Sequence, residues 1–187
     1  FVVDNNTSSI TISSCNKATF FVVEDTLEAL QKIAAYHRNN YNVPTIGVTG
    51  SNGKTIVKEW LYQILSPEMS VARSPKSYNS QIGVPLSVWQ LNDSHQLAIF
   101  EAGISRPNEM QKLKDIIQPT IGIFTNIGQA HGKNFDDINH KIEEKLKLFA
   151  DVDILIYCSD YKELHHHIKM LNINTFCWSK KDKESDI

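Results

Sequence analysis

A glycine-rich turn, Gly50-Ser51-Asn52-Gly53-Lys54-Thr55, follows the β-branched run that begins after Pro44 and gives way to residues at helical spacing. Glycines let backbone N–H groups come close to phosphate oxygens, a helix starting at Lys54 points its positive end at the same spot, and the Thr55 hydroxyl suits a magnesium ion. The chemistry is that of a nucleoside triphosphate site. The general pattern, Gly, four residues, Gly-Lys-Ser/Thr, calls for glycine where this chain has Val48; Gly47 comes one place early and Gly50 lies inside the loop. The loop is therefore a variant phosphate cradle. Thr49 to Thr55 is the candidate nucleotide-binding segment, and Lys54 is placed to meet phosphate charge.

Such a loop works only between a strand and a helix that hold it. After it, Ile56, Trp60 and Ile64 form one helical row and Val57, Leu61 and Leu65 the next. Trp60 and Trp89 both sit on apolar rows and read as core. Short strands are predicted near 69–73 and 175–178, a helix over 82–91, and further strands at the apolar runs Leu97 to Phe100, Thr120 to Thr125 and Ile154 to Cys158. Strands alternating with helices predict an α/β fold with a doubly wound, mostly parallel sheet carrying the P-loop. Ligands of such sheets sit beyond the carboxyl ends of the strands. Thr49–Thr55, Glu101–Arg106 and Asn126–His131 each follow a predicted strand, so all three should face one crevice.

Upstream, strands at 1–3 and 18–23 precede a helix with Asp25 and Glu28 at capping-box spacing and Leu27, Leu30 and Ala34 on its buried face. Asn39-Asn40 and Pro44 end that helix. Residues 1–42 are thus expected to close a small α/β N-terminal domain, and residues 43–187 to begin the nucleotide-binding domain.

The chain has 187 residues, 41% apolar and 21% charged, with a net charge of -2, which is ordinary globular composition without a basic field for nucleic acid. A small phosphorylated substrate fits it better than a polymer. Cys15, Cys158 and Cys177 show no Cys-x-x-Cys spacing, which argues against a zinc site or disulfide framework and suits a reducing cytoplasm. No run of eighteen apolar residues calls for a membrane span. The start at Phe1 rather than Met reads as a fragment. His165, His166 and His167 are adjacent on a helix, cannot all face one metal, and are expected in solvent.

Three ordered segments, Thr49 to Thr55, Glu101-Ala102-Gly103, and Thr125-Asn126-Ile127-Gly128-Gln129-Ala130-His131, resemble the Mur ligase family, the ATP-dependent amide ligases of peptidoglycan precursor synthesis. The variant loop is similar to that family's own form. Within the family, Asn79-Ser80-Gln81-Ile82-Gly83-Val84-Pro85-Leu86 and Ala130-His131 look most like the branch that adds D-alanyl-D-alanine to UDP-N-acetylmuramoyl-tripeptide. Lys54 to Trp60 and Ser74 to Leu91 are similar to forms fused to an alanine racemase. The resemblance implies ATP and Mg2+ as cofactors and a UDP-N-acetylmuramoyl-tripeptide and D-alanyl-D-alanine as partners. It also implies three domains, of which this chain carries the end of the first and the first half of the second.

Carried over residue by residue, the resemblance implies that Lys54 pairs with the β- and γ-phosphates while Thr55 and Glu101 hold a first magnesium. His131 and a carbamylated Lys145 would hold a second. Ser77, Tyr78 and Asn79 would contact the muramoyl-peptide end. Lys145 has a reading of its own. A helix over 136–150, at about 100° per residue, puts Ile138, Ile142, Leu146 and Phe149 on one stripe with Lys145 at its edge. Desolvation there lowers the pKa, and the neutral amine can take up carbon dioxide as a carbamate. A snorkelling lysine is the alternative. Glu101 as a solvated strand-end carboxylate, His131 as a turn residue and Ser77–Asn79 as a polar loop remain open on position alone. So do a folate-polyglutamating ligase and a nucleotide-binding module without ligase activity.

Overall fold

The apolar runs form strands and the amphipathic segments between them form helices. The computed structural model describes residues 1–7, 17–128, 134–181 and 185–187. The strands are β1 (Val2–Asp4), β2 (Phe21–Val23), β3 (Thr45–Thr49), β4 (Val71–Arg73), β5 (Leu97–Glu101), β6 (Ile121–Phe124), β7 (Ile154–Cys158) and β8 (Thr175–Trp178). The helices are α1 (Thr26–Arg38), α2 (Lys54–Leu65), α3 (Gly83–Val88), α4 (Glu109–Ile117), α5 (Ile138–Leu146) and α6 (Lys162–Lys169). β1 and β2 pair in parallel by themselves, and the rest make one parallel sheet in the order β4-β5-β3-β6-β7-β8. The expected α/β, doubly wound arrangement is what forms.

Strand alternation sorts the core into two faces. Ala98, Phe100, Phe124, Leu155 and Tyr157 pack with Val84, Met110, Leu113, Ile142, Phe149 and Leu164 from the helices on one side. On the other, Ile46, Val48, Leu97 and Ile99 pack against Val57, Leu61 and Leu65 of α2. Phe100, Met110, Leu113, Ile142 and Phe149 are fully buried, each contributing on the order of 2–3 kcal/mol of transfer free energy.

Two expectations fail here. Trp60 is 62% exposed and Trp89 54% exposed. α2 offers two adjacent apolar rows but lays only Val57, Leu61 and Leu65 on the sheet, so Ile56, Trp60 and Ile64 point outward. Trp89 stands just past α3 against His37 of α1, their rings 4.6 Å apart, instead of entering the core. The helix over 82–91 is also shorter than expected, ending at Val88 and closing in turn bonds through Leu91. The helix expected over 136–150 is α5 followed by a 3-10 turn, Lys147–Phe149.

Asp25 caps α1 by accepting from the backbone N–H of Leu27 (2.8 Å) and Glu28 (3.0 Å). Ala34 of that helix joins the core shared with α3 and α4. At its end the buried Arg38 donates to the carbonyls of Ile117 (3.0 Å), Tyr41 (2.5 Å), Val43 (3.3 Å) and Gln118 (3.3 Å) and to Thr45 Oγ1 (2.8 Å), which locks α1 to the N-terminal side of β3. His165 is not simply solvated: its ring nitrogen lies 2.9 Å from the hydroxyl of the buried Tyr157. No helix among the described residues is long and apolar enough to cross a membrane.

Candidate nucleotide and metal site

β3 lies between β5 and β6, where the strand order reverses direction, so the loops after these three strands open into one crevice. The loop after β3 is clamped by the loop after β6. Ser51 N–H donates to Asn126 O and Asn52 N–H to Asn126 Oδ1, both at 2.9 Å; Asn126 Nδ2 (3.0 Å) and Thr125 Oγ1 (2.6 Å) return bonds to Asn52 O. Gly128 N–H reaches Ser51 Oγ at 3.0 Å. Gly50 has φ 145°, and a Cβ there would lie 2.0 Å from Thr125 Oγ1. Only glycine permits so close an approach. Gly53 caps α2 in a left-handed conformation with no side-chain bond, which leaves the helix start to an anion.

The loop after β5 brings the carboxylate. Glu101 is fully buried at the strand end, and Thr55 Oγ1 donates to its Oε2 at 2.9 Å. Its other oxygen faces Asn79 Nδ2 at 3.4 Å, and its backbone N–H donates to Ser74 Oγ at 3.2 Å. Asn79 is held from the far side as well, its carbonyl accepting from Gly103 N–H at 2.7 Å. A Cβ on Gly103 would come within 2.9 Å of Asn79 Oδ1. Of the three residues expected to meet substrate, Asn79 therefore enters the crevice, while Ser77 and Tyr78 are exposed outside its lining.

Three lysines complete it. Lys54 Nζ donates to Gly50 O at 3.0 Å and Lys145 Nζ to the same oxygen at 3.1 Å, while Lys141 Nζ donates to Gly128 O at 2.7 Å. Lys145 and Lys141 are 3% and 4% exposed. Burial brings the Lys145 ammonium down to about 7, with the Lys54 and Lys141 cations pushing the same way. Burial also lowers Lys54, against the pull of the Glu101 carboxylate, and lowers Lys141, with Lys54 adding to it. A cavity of about 260 Å³ opens among Lys54, Lys141, Lys145, Asn79 and Ser105. A larger one of about 770 Å³, by Arg38 and Gln118, adjoins the opposite ends of the strands and none of these groups.

Lys141 was not singled out from sequence, nor was the buried Lys58. Lys141 stands four residues before Lys145 and Lys58 four residues after Lys54, and that spacing on one helix face is the signal that was available. His131 lies outside the described residues. What remains is a cradle of backbone donors and ammonium groups for phosphate beside two hard oxygen donors, Thr55 and Glu101, of the kind Mg2+ takes.

Residues 48–187 match the family model described as Mur ligase middle domain. The chain is 45% identical over 111 residues to the UDP-N-acetylmuramoyl-tripeptide--D-alanyl-D-alanine ligase of Synechocystis sp., covering 59% of this chain and 24% of that protein. It is 35% identical over 138 residues to the ligase of that name from Borreliella burgdorferi, covering 73% and 30%. A crystal structure of MurF ligase from Thermotoga maritima in complex with ADP superposes with a TM-score of 0.81 at 29% identity, over 89% of this chain and 40% of that one. The chain thus spans a quarter to a third of the length of these curated relatives.

Proposed function

We propose that this chain, which belongs to the Mur ligase family, supplies the ATP-holding part of a ligase that joins D-alanyl-D-alanine to UDP-N-acetylmuramoyl-tripeptide. The observation that carries the reading is the chain of contacts Thr55–Glu101–Asn79 at the mouth of a crevice lined by Lys54, Lys141 and Lys145. A generic phosphate loop needs no buried carboxylate reaching an asparagine on the acceptor side. Here that arrangement joins the nucleotide helix to the segment that would present a carboxylate.

Joining a carboxylate to an amine in water requires activation, and transfer of the γ-phosphoryl of ATP to the carboxylate supplies it as an acyl phosphate that the amine attacks. Positioning and cations do most of the work in such a transfer. The loop amides and the start of α2 hold the phosphates. Lys54 exchanges the Gly50 carbonyl for phosphate oxygens and meets the charge of the transferring group. Thr55 and Glu101 would hold Mg2+, which, when bound, neutralises phosphate charge. His131 and a carbamate on Lys145 would hold a second ion, which would supply further positive charge to the transfer. A 13C-bicarbonate NMR spectrum tests that carbamate, its resonance being absent from Lys145→Met.

In this reading residues 1–42 close the UDP-substrate domain, residues 43–187 begin the ATP domain, and the enzyme acts in the cytoplasm on soluble substrates, without nucleic acid or membrane. The likeness of Ser74 to Leu91 to racemase-fused forms extends it to an alanine racemase in the parent chain, which the parent gene's sequence tests.

The function is tested by mass spectrometry of the parent protein's products with ATP, UDP-N-acetylmuramoyl-tripeptide and D-alanyl-D-alanine, beside a folate and glutamate panel. The expected result is amide product and phosphate with the muramoyl substrate only, both lost in Lys54→Met. Glutamylated folate, or ATP hydrolysis indifferent to either acceptor, overturns it. The 187-residue chain alone is expected to bind ATP and form no amide.

A further inference from the structure

Lys58 is fully buried in α2, one turn beyond Lys54, and its ammonium group is spent on the segment that follows β4. It donates to Ser74 O at 2.6 Å and to Lys76 O, and pairs with Glu59 Oε1 at 3.0 Å. Two carbonyls and a carboxylate use all three donors of an ammonium. Glu59 in turn pairs with Arg73, whose guanidinium lies 3.8 Å over the Tyr62 ring. Burying a lysine is unfavourable unless each donor is matched. An apolar side chain would serve if packing were all that was required.

The carbonyls that Lys58 takes are not arbitrary. They flank a turn in which Lys76 adopts φ 48°, the left-handed region that side chains other than glycine, asparagine and aspartate seldom enter. The turn closes with Tyr78 N–H on Pro75 O at 3.0 Å and delivers Asn79 to Glu101 Oε1 and to Gly103 N–H. Before it, Ser74 is fastened to β5 through Ile99 O and through the Glu101 N–H. The ends of the 74–79 segment are thus tied to the end of β5. Its strained middle is tied to the nucleotide helix by Lys58.

We propose that Lys58 is a positioning residue: it holds the left-handed turn at Lys76 against α2, so that the helix carrying Lys54 and Thr55 also sets where Asn79 meets the Glu101 carboxylate and the phosphoryl acceptor. Its role is on the acceptor side of the site. The partners of its ammonium are Ser74, Lys76 and Glu59, all outside the phosphate loop, and its loss moves the 74–79 segment before it moves the cradle. The acceptor's identity rests on the function proposed above; the geometry of the turn does not.

The test compares Lys58→Met, Lys76→Gly and the double variant in the parent protein, with Mg·ATP titration, acceptor kinetics and amide hydrogen exchange. In Lys58→Met, Mg·ATP affinity should stay within about threefold of wild type while kcat/KM for the carboxylate acceptor falls about tenfold or more. Exchange at residues 76–79 should quicken about tenfold with α2 unchanged. Glycine adopts positive φ freely, so Lys76→Gly in the Lys58→Met background should recover about threefold or more of the lost efficiency, which a clamp of merely structural value would not allow. Equal losses in ATP affinity and acceptor efficiency, unchanged exchange at 76–79, or no recovery in the double variant each overturn the proposal. If Lys58→Met does not fold, Lys58→Arg carries the same readouts. A wild-type protein that forms no amide overturns the function above and leaves the ATP and exchange measurements to decide this role.

Discussion

Lys145 Nζ lies 3.1 Å from the carbonyl oxygen of Gly50, a bond between residues 95 apart that fastens α5 to the phosphate loop. The same oxygen accepts from Lys54. Two ammonium groups on one carbonyl, with Lys141 near them, make the floor of the crevice a site that favours anions and resists carrying all of its protons.

The Lys145 ammonium therefore has a visible pH signature. Its pKa falls from 10.5 to about 7 on folding. Below pH 7 folded and unfolded chains both hold the proton, and folding bears the full cost of a buried cation. Between about 7 and 10.5 the unfolded chain holds a proton that the folded chain has released, so stability rises with pH across that window. Urea unfolding from pH 6 to 10 should show this rise in the wild type, on the order of a few kcal/mol, and a flatter profile in Lys145→Met. Lys54→Met, which removes a neighbouring cation, should move the rise to higher pH.

Glu101→Gln keeps an oxygen for the Thr55 hydroxyl and removes the charge. Nucleotide affinity measured by calorimetry in EDTA should hold or improve, because a buried anion no longer faces the phosphates. The gain in affinity that Mg2+ confers should drop about tenfold or more, since a neutral amide is a poor partner for a hard dication. Unchanged Mg2+ dependence would show that Glu101 is no ligand.

Gly50→Ala tests the clamp between the two loops. The φ of 145° and the 2.0 Å approach to Thr125 Oγ1 leave no room for a methyl group. Thermal unfolding should show a loss of about 1–3 kcal/mol or more, and ATP binding should disappear before the fold does. Gly128→Ala, where a Cβ meets nothing within 4 Å, is the control, expected to retain nearly full stability.

The outward row of α2 should matter far less to stability than the core on the opposite face of the sheet. Trp60→Gln, at an exposed position, should change stability by no more than about 0.5 kcal/mol. Phe149→Ala empties a fully buried position beside Phe124 and should cost about 3–5 kcal/mol. Chemical denaturation of both variants provides the comparison.

Strand after strand, the parallel sheet was legible in the chain because its signals are local: β-branched runs for strands, helical spacing between them, and a capping aspartate at α1; the order of the strands came from the fold. Ser51, Gly53, Lys54 and Thr55 announced a phosphate cradle for the same reason, since a tight turn and a helix start need particular residue types in sequence. The convergence of Thr55, Glu101 and Asn126 could be anticipated from the rule that ligands sit at strand ends.

What local signals could not convey is which of two equally apolar rows meets a neighbour. Trp60 and Leu61 are adjacent residues of one helix, and only the docking of α2 on the sheet sent one outward and the other in. The lysines carry the same lesson in reverse. Lys58 and Lys141 look like surface residues in the chain, since lysine is usually solvated and nothing nearby in sequence says otherwise. Burial and partners were decided by carbonyls from Ser74, Lys76 and Gly128, brought to them by the tertiary fold. The residue types of the phosphate loop were written in its own few positions; the charge state and the geometry around it belong to segments as far as 95 residues away.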